Sequence, residues 1–393
     1  MSLRKLFLNH VAQTSPAPMG LEIVGSDGLY LIDHSGKRYI DMISGIGVSS
    51  IGHNHPEVVR AVQEQAASYM HTLVYGEFIL SPQVKYAEKL TTLLPEKLNS
   101  VYFVNSGAEA TEGAIKLARR YTKKPNIISC YQSYHGSTTG AMALNSEEYF
   151  HQPFQPLMPG VDHIRFNHVD DLALINGDTA AVIIEPVQAE RGIYTPNPGY
   201  LRALRERTDA TGTLLVFDEI QTGFGRTGSL FACQKYGVVP DIMLIAKGMG
   251  GGMPLGAFIS DRKIMNVFTH DPVLGHITTF GGHPVNCAAA LATLNVLTSN
   301  NYISDVEEKE KILVQKLKHP QIKQLRTAGL WAAMELKDED TMHKVVSAGL
   351  EKGIIIDWFL FNSRSIRIAP PLIISDDQLT EVCDIIIDIL DEL

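Results

Sequence analysis

The residue whose surroundings point most directly to chemistry is Lys247. It follows an apolar run, DIMLIA at residues 241–246, and glycine occupies four of the next five positions. Lysine side chains are rarely buried, and burial lowers the pKa of an amine and frees it as a nucleophile. Lys247 is therefore a candidate Schiff-base lysine, and pairing with a buried carboxylate is the structural alternative.

Asp218 and Glu219 end a second apolar run, TLLVF at residues 213–217. A carboxylate at a strand end can form a salt bridge with a protonated ring nitrogen and hold it charged. A structural ion pair is the alternative. The run also resembles the Walker B strand of an NTPase, but the sequence has no G-x-x-x-x-G-K-[ST] phosphate loop, so an NTPase is not expected.

A third motif, NSGAE at residues 105–109, lies between an apolar run and a helical stretch. Ser106 and Glu109 fit a capping box. The free N–H groups at such a helix start form an anion site, and Gly107 would let a phosphate approach the backbone. A well-capped helix without a ligand is the alternative.

Two further motifs carry weaker signals. The segment GFGRTG at residues 223–228 matches the dinucleotide fingerprint, but its glycines lie several residues past the strand and Asp241 follows too early. We therefore interpret it as a glycine-rich loop. His53 and His55 have no third ligand in view and are expected in a turn that leads into a helix at Pro56, so no metal is predicted.

The elements that must position these residues read as alternating strands and helices. Nearly continuous apolar runs are typical of strands buried on both faces of a parallel sheet, and ligands bind beyond the carboxyl ends of such strands. Residues 56–299 are expected to form the large domain, and residues 300–393 a smaller α+β domain. The N-terminal segment at 1–55 contains a hairpin that turns at Ser35 and Gly36, and it could join the smaller domain. The runs are SVYFV, NIISCY, AAVIIEPV, TLLVFDEI and DIMLIAKG.

Composition excludes several partners. The net charge is -9 without a basic stripe, so nucleic acid is not expected. The four cysteines are scattered and predict reduced, mostly buried thiols. No run approaches the roughly 20 apolar residues of a membrane helix, and the N-terminal apolar stretch is too short for a signal peptide, so no membrane partner and a cytoplasmic location are expected.

In their order along the chain, these motifs resemble the class III aminotransferases, which include acetylornithine, ornithine, 4-aminobutyrate and other ω-amine transaminases. The resemblance covers nearly the whole chain. It implies a fold-type I pyridoxal-phosphate (PLP) enzyme with a mostly parallel seven-stranded sheet, and a homodimer with active sites at the subunit interface. The matching segments are GLYLIDHSGKRYIDM, NSGAEATEGAIKLAR, SYHGST, IIEPVQAERG, FDEIQTGFGRTG, AKGMGGGMPLGA, TTFGGHPVNCAAA and IRIAPPL.

The resemblance also implies roles for single residues. Lys247 would hold the cofactor covalently and Asp218 would pair with its pyridine nitrogen. The other implied cofactor contacts are Gln221 at the phenolic oxygen, Tyr134 stacked on the ring, Glu185 close to the ring, Ser106, Gly107 and Ala108 at the phosphate, and Thr279 at the phosphate of the neighbouring subunit's cofactor, with Thr278 near the substrate.

Substrate recognition follows from the same resemblance. Arg367 resembles the arginine that clamps the α-carboxylate of glutamate or 2-oxoglutarate, and Glu190 resembles the gate that neutralises it when an ω-amine is bound. Ser137 stands where acetylornithine and ornithine enzymes have an arginine for the donor's distal carboxylate. Donors without that carboxylate, such as diamines or simple amines, are therefore favoured, and Arg191 either compensates or points away.

The predicted function is transfer of an amino group from an ω-amine or amino acid (acetylornithine, ornithine, 4-aminobutyrate or diamine-like) to a 2-oxo acid. The expected acceptor is 2-oxoglutarate, and the mechanism is a ping-pong Schiff-base cycle. A PLP-dependent decarboxylase or aminomutase of the same fold is the alternative; these share Lys247 and Asp218, and the pair of Glu190 and Arg367 argues against them.

Overall fold

The computed structural model describes residues 2–393. Strands and helices alternate through the middle of the chain, as the apolar runs predict. The strands are β1 (Ile23–Asp27), β2 (Tyr30–Asp33), β3 (Arg38–Asp41), β4 (Ser100–Val104), β5 (Asn126–Cys130), β6 (Val161–Ile164), β7 (Thr179–Ile184), β8 (Leu214–Asp218), β9 (Ile242–Ile245), β10 (Gly256–Ser260), β11 (Gln324–Thr327), β12 (Ala332–Glu335), β13 (Ile354–Ile355), β14 (Asp357–Phe359) and β15 (Asn362–Ile368).

Helices cover both faces of the largest sheet and much of the chain's two ends. Short 3-10 turns lie at Gln152–Phe154, Val169–Leu174, Lys247–Gly250 and Asn266–Thr269. The helices are α1 (Leu3–His10), α2 (Ser44–Gly47), α3 (Pro56–Ser68), α4 (Ser81–Thr92), α5 (Gly107–Thr122), α6 (Thr139–Ala143), α7 (Glu148–His151), α8 (Tyr200–Thr211), α9 (Ala232–Tyr236), α10 (Arg262–Met265), α11 (Pro284–Ser299), α12 (Val306–Lys316), α13 (Glu339–Lys352) and α14 (Asp376–Asp391).

The largest sheet of residues 2–393 has seven strands in the order β4-β10-β9-β8-β7-β5-β6. From β9 to β6 each neighbouring pair is parallel, and β10 runs antiparallel to both β4 and β9. Every residue of β7 is buried: Val182 and Ile184 belong to one apolar core, Ala181 and Ile183 to another. This two-sided burial explains the continuous apolar runs, and the α/β prediction with a mostly parallel seven-stranded sheet is confirmed.

Two four-stranded sheets use the ends of the chain. One has the order β1-β2-β3-β13 and the other β11-β12-β15-β14. β2 and β3 form the expected hairpin, in which Asp33 Oδ1 accepts hydrogen bonds from the backbone N–H groups of Ser35 and Lys37. β3 pairs in parallel with β13, so a strand from each end of the chain enters this sheet. The division at residues 55 and 299 stays a prediction.

The strands of the large sheet end where the sequence places candidate functional residues. β8 ends at Asp218, and β9 ends two residues before Lys247. β4, β5 and β7 are followed within four residues by Ser106, Tyr134 and Glu185. Since β4, β5, β7, β8 and β9 run in one direction, these residues emerge at one edge of the sheet.

Three sequence expectations concern absent features. No helix among residues 2–393 combines the length and hydropathy that crossing a membrane requires. The four cysteines are buried and free, as expected. His53 Nε2 lies 2.8 Å from Asp41 Oδ2, and the described residues contain no group of three His, Cys, Asp or Glu side chains that could hold a metal ion.

Candidate active site

A cavity of about 310 Å³ opens at this edge of the sheet. It brings together eight of the residues that the sequence singles out, from five different strand ends. Ser106, Glu190, Thr278, Thr279 and Arg367 lie outside its lining. The lining residues are Gly107, Ala108, Tyr134, His135, Gly136, Ser137, Glu185, Asp218, Ile220, Gln221 and Lys247.

Lys247 begins the 3-10 turn after β9 and faces the cavity. Its φ is +48°, a left-handed conformation that costs free energy for a residue with a Cβ and that clusters at functional sites. Burial lowers the pKa of its amine to about 8, although the negative charge of Glu190 opposes this shift. The direction of this shift and its cause are those that the sequence analysis expects for a Schiff-base lysine.

Asp218 is held by contacts on both carboxylate oxygens. His135 Nδ1 lies 2.7 Å from Oδ2, and the backbone N–H of Ile220 donates to Oδ1 at 3.0 Å. His135 is 2% exposed, and its Nε2 is buried without a hydrogen-bond partner among residues 2–393. A carboxylate oxygen accepts, so the Nδ1–H of His135 donates to Asp218 and fixes its orientation. The sequence interpretation missed His135; its place next to Tyr134 in SYHGST was the available signal.

The N-terminus of α5 forms one end of the cavity. Ser106 Oγ accepts from the Glu109 N–H at 3.2 Å, as the capping box predicts. The reciprocal bond is different, because the Glu109 carboxylate accepts from the N–H of Asn105 at 2.7 Å and not from that of Ser106. Gly107 is required by packing as well as by ligand access, since a Cβ there would lie 2.7 Å from Ile220 Cδ1. This helix start meets the requirements of an anion site.

Glu185 anchors the loop that carries Tyr134. Its Oε1 accepts from the Tyr134 N–H at 3.1 Å and its Oε2 accepts from the Ala189 N–H at 3.0 Å. Burial raises the pKa of Glu185 well above its usual range, and the charge of Asp218 adds to the shift. The Tyr134 hydroxyl and Ser137 Oγ lie 3.0 Å apart, so Ser137 bonds to the tyrosine at the cavity wall.

Arg367 is paired with two carboxylates next to the cavity. Its Nη2 lies 3.0 Å from Glu190 Oε2, as the resemblance leads one to expect, and its Nε lies 3.2 Å from Asp357 Oδ1. Gln221 Nε2 donates to Glu190 Oε1 at 3.3 Å, which links the pair to the cavity lining. Burial alone would raise the pKa of Glu190, but the charge of Arg367 brings it below its usual value. Burial raises the pKa of Asp357 to about 6, against the opposing effect of Arg367.

Asp357 was not singled out from the sequence. It lies on β14 directly opposite Arg367 on β15, a pairing that no local motif reveals. Arg191, whose direction the sequence leaves open, donates to Gln188 Oε1 at 3.1 Å and stacks over the Tyr194 ring at 4.1 Å. Arg191 therefore points away from the cavity and does not replace the arginine missing at Ser137.

Thr278 and Thr279 lie in the loop before α11. Thr278 Oγ1 accepts from Asn105 Nδ2 at 3.0 Å, which places it beside the start of α5. Thr279 is exposed. Its implied contact with the neighbouring subunit's cofactor stays a prediction.

The rival nucleotide motifs have structural roles. Glu219 is fully buried and accepts from the N–H groups of Ala232 and Cys233 at the start of α9, at 2.8 and 2.7 Å. Arg226 is buried within GFGRTG and donates to the carbonyl oxygens of Leu330 and Pro370 at 2.8 and 2.6 Å. Both charged groups are used in holding the fold, so neither is available to a nucleotide.

Comparison with known proteins agrees with this geometry. Residues 11–390 match the family model for class-III aminotransferases. The acetylornithine aminotransferase of Methanocaldococcus jannaschii is 39% identical over 383 residues, which cover 94% of this chain and 92% of that protein. The acetylornithine aminotransferase of Caldanaerobacter subterraneus subsp. tengcongensis is 37% identical over 389 residues, covering 94% and 95%.

Solved structures share the whole fold. A transaminase from the marine bacterium Virgibacillus superposes with a TM-score of 0.93 at 28% identity, covering 100% of this chain and 99% of that one. The ornithine aminotransferase of Toxoplasma gondii gives a TM-score of 0.91 at 30% identity, covering 99% and 94%; a second structure of that enzyme has partial occupancy of PLP at its active site. These relatives do not favour the decarboxylase or aminomutase alternative. The chain belongs to the class III aminotransferases and is a transaminase, and its family implies pyridoxal phosphate as the cofactor.

Proposed function

We propose that this chain moves an amino group from an ω-amine or amino acid to a 2-oxo acid, with pyridoxal 5′-phosphate bound in the 310 Å³ cavity. The observation that carries the proposal is the convergence of Lys247, Asp218 and the start of α5 on that cavity. They supply an amine nucleophile, a partner for a ring cation and an anion site, which are the three groups that PLP needs from a protein.

The cavity fits the cofactor at its phosphate end. The backbone N–H groups of Gly107 and Ala108 begin α5 and have no intrahelical acceptor, so they would bind the phosphate. Gly136 lies against this helix start, where a Cβ would come 2.7 Å from the Ala108 Cβ. Tyr134 and Gln221 line the space between this end and Lys247 and would contact the ring and its phenolic oxygen.

When bound, pyridoxal phosphate supplies an electron sink for the carbon next to the amino group, provided that its ring nitrogen is protonated. Asp218 would stabilise that proton through its negative charge. His135, which donates to Asp218 at 2.7 Å, orients the carboxylate. Glu185 accepts from the Tyr134 N–H and would lie close to the ring.

Lys247 would act as the acid and base of the reaction. Its neutral Nζ takes the proton from the substrate carbon that bears the amino group and later returns a proton. With a pKa of about 8, an appreciable fraction of the amine is neutral near pH 7, which general base catalysis requires.

Arg367 would recognise the carboxylate of the 2-oxo acid in a bidentate manner. For a donor without a carboxylate beside its amine, Glu190 remains paired with the guanidinium. For the 2-oxo acid, Glu190 must turn away. The two substrates then use one site in turn, as a ping-pong cycle requires, and 2-oxoglutarate is the acceptor that we expect.

We infer that two chains form a homodimer around shared active sites. Apolar side chains are exposed in two neighbouring segments: Phe78 is 56% and Ile79 94% exposed, and Ile277 is 51% and Phe280 54% exposed. Gln83 Nε2 donates to the carbonyl oxygens of Val74 and Gly282, which brings the two segments together. Covering such a patch would stabilise a dimer, and Thr279 lies beside it. Light scattering at low micromolar concentration tests this; a stable monomer would contradict it.

The direct test of the function is the visible absorbance of the purified protein. A yellow protein whose absorbance decreases with L-glutamate or L-alanine, and recovers with the matching 2-oxo acid, is the expected result. A protein that stays colourless with added PLP would overturn the proposal. Turnover without any 2-oxo acid would favour the decarboxylase or aminomutase alternative.

A further inference from the structure

A second cavity, of about 540 Å³, adjoins the cofactor cavity. The two share Tyr134 and Ser137 as lining residues. We call the second cavity the donor chamber. Most of its wall is apolar, formed by Met142, Phe150, Phe154, Leu360 and Phe361. A space that continues from the cofactor cavity is where the rest of an amine donor would extend.

None of the residues that line the donor chamber carries a charge. Among the lining residues that this chain supplies, a distal carboxylate would find no cation, and the distal ammonium of a diamine would find no anion. Moving an ion from water into such a space without a partner is costly. The two hydroxyls at the junction, those of Tyr134 and Ser137, lie 3.0 Å apart and bond to each other. The remaining polar residues of the lining, Thr14, Thr139 and Asn145, are uncharged. The chamber therefore offers no charged partner to the tail of a diamine, which the sequence favours as a donor, and none to the tail of N-acetylornithine.

The chamber wall is connected to the arginine pair. The backbone N–H of Leu360 donates to Glu190 Oε2 at 3.0 Å, and that of Phe361 donates to the Glu190 carbonyl oxygen at 3.1 Å. The Leu360 bond depends on the Glu190 carboxylate, which is the group that pairs with Arg367, whereas the Phe361 bond is made to the backbone and does not depend on that pairing. The side chain that neutralises the arginine therefore also holds Leu360 in the chamber wall, which matches a donor without a carboxylate near its amine.

We propose that the amine donor is a primary amine with an uncharged, apolar tail of aryl-alkyl size, bound in the donor chamber. This inference rests on the proposed function and specifies its donor. The ring contact between Phe150 and Phe361, 5.4 Å apart and edge to face, leaves aromatic surface for a second ring to pack against.

The test compares donors of similar length on the PLP-loaded enzyme. 3-Phenylpropan-1-amine, N-acetyl-L-ornithine and 1,5-diaminopentane differ in the charge of the tail. We expect kcat/KM for loss of the visible absorbance to be larger for the phenyl amine by on the order of tenfold or more. An equal or faster reaction of either charged donor would overturn the inference. If L-glutamate or L-alanine reacts in that case, the proposed function stands; if no amine reacts, both fail.

Substitutions test which residues produce the preference for a donor with an apolar tail. Phe150→Ala should lower kcat/KM for the phenyl amine and leave that for L-alanine unchanged. Tyr149→Ala is the matched control, because Tyr149 is the neighbour of Phe150 on α7 and is 85% exposed. Ser137→Arg should raise the rate with N-acetyl-L-ornithine relative to the phenyl amine. A Phe150→Ala enzyme that loses rate equally with all donors would contradict a specific tail site.

A readout without catalysis separates binding from chemistry. 3-Phenylpropan-1-ol has the same tail but no amine, so it cannot react. Calorimetry should detect its binding to the wild-type protein and to Tyr149→Ala, with a negative heat-capacity change as apolar surface is buried. Binding should be weaker for Phe150→Ala. No binding to the wild type, or equal binding to both variants, would overturn the chamber as the tail site.

Discussion

The cofactor cavity and the donor chamber share a wall but are built in different ways. The cofactor cavity is lined by residues at the ends of parallel strands and contains Lys247, Asp218 and Glu185. The donor chamber is formed by α6, α7 and the turn between β14 and β15, and it contains no charge. The residues that we assign to the chemistry follow the strand ends of the large sheet, whereas those that we assign to the donor tail lie on short connecting elements that can vary without disturbing it.

The largest expected effect on turnover comes from a substitution in the cofactor cavity. Lys247→Ala should reduce turnover by about a thousandfold or more, because it removes both the covalent anchor and the acid–base group. The measurement is kcat for the reaction of L-alanine with 2-oxoglutarate, followed as pyruvate formed, together with the visible spectrum. Lys263→Ala, at an exposed position, is the control. Wild-type turnover in Lys247→Ala would contradict the assignment of Lys247 as the residue that binds the cofactor and transfers the proton.

A paired substitution separates chemistry from stability within two adjacent residues. Asp218→Asn should lower kcat by about a hundredfold, since the charge that stabilises the ring cation is lost, while PLP stays bound. Glu219→Gln should keep its specific activity but lose about 1–3 kcal/mol of unfolding free energy, because the start of α9 loses a charge-assisted partner. Kinetics and denaturant unfolding of both variants are the measurements. Full activity in Asp218→Asn would make Asp218 a structural residue.

The pH dependence of cofactor attachment probes the burial of Lys247. The amine reacts only when neutral, and neutral amine accumulates as the pH rises above its pKa. With a pKa of about 8, the rate of covalent PLP binding to the apoenzyme should rise about tenfold between pH 7 and 9 and then level off. A rate that is still rising at pH 10 would indicate an ordinary lysine pKa near 10.5.

The smallest effect concerns Asp357, which pairs with Arg367 next to the cofactor cavity. Asp357 competes with the 2-oxo acid carboxylate for Arg367, and its pKa is about 6. As the pH falls through 6, Asp357 becomes neutral and the KM for 2-oxoglutarate should decrease severalfold. Asp357→Asn should show the low KM at all pH values, and the exposed Asp340→Asn should behave as wild type. An unchanged pH profile in Asp357→Asn would show that Asp357 does not influence the arginine.

Local pattern was sufficient for much of the fold and for selecting Lys247 and Asp218 as candidates. The buried strands β4, β5, β7, β8 and β9 follow from their apolar runs, because a strand covered on both faces must be apolar along its length. Lys247 and Asp218 stand out because charged residues directly after such runs are unusual. β6 and β10 were not identified: β6 contains Asp162 and His163, and β10 follows a glycine-rich loop that obscures its start.

The sequence by itself determined the class of the protein, the strand ends that carry the chemistry and the residues Lys247 and Asp218. Only the tertiary structure decided what surrounds them. The contact of His135 with Asp218 spans 83 positions along the chain, and that of Glu190 with Arg367 spans 177. Local periodicity reports which side of an element is buried, but not which distant side chain meets it there. For the same reason, the donor chamber becomes visible only when α7 and the turn after β14 lie beside Tyr134.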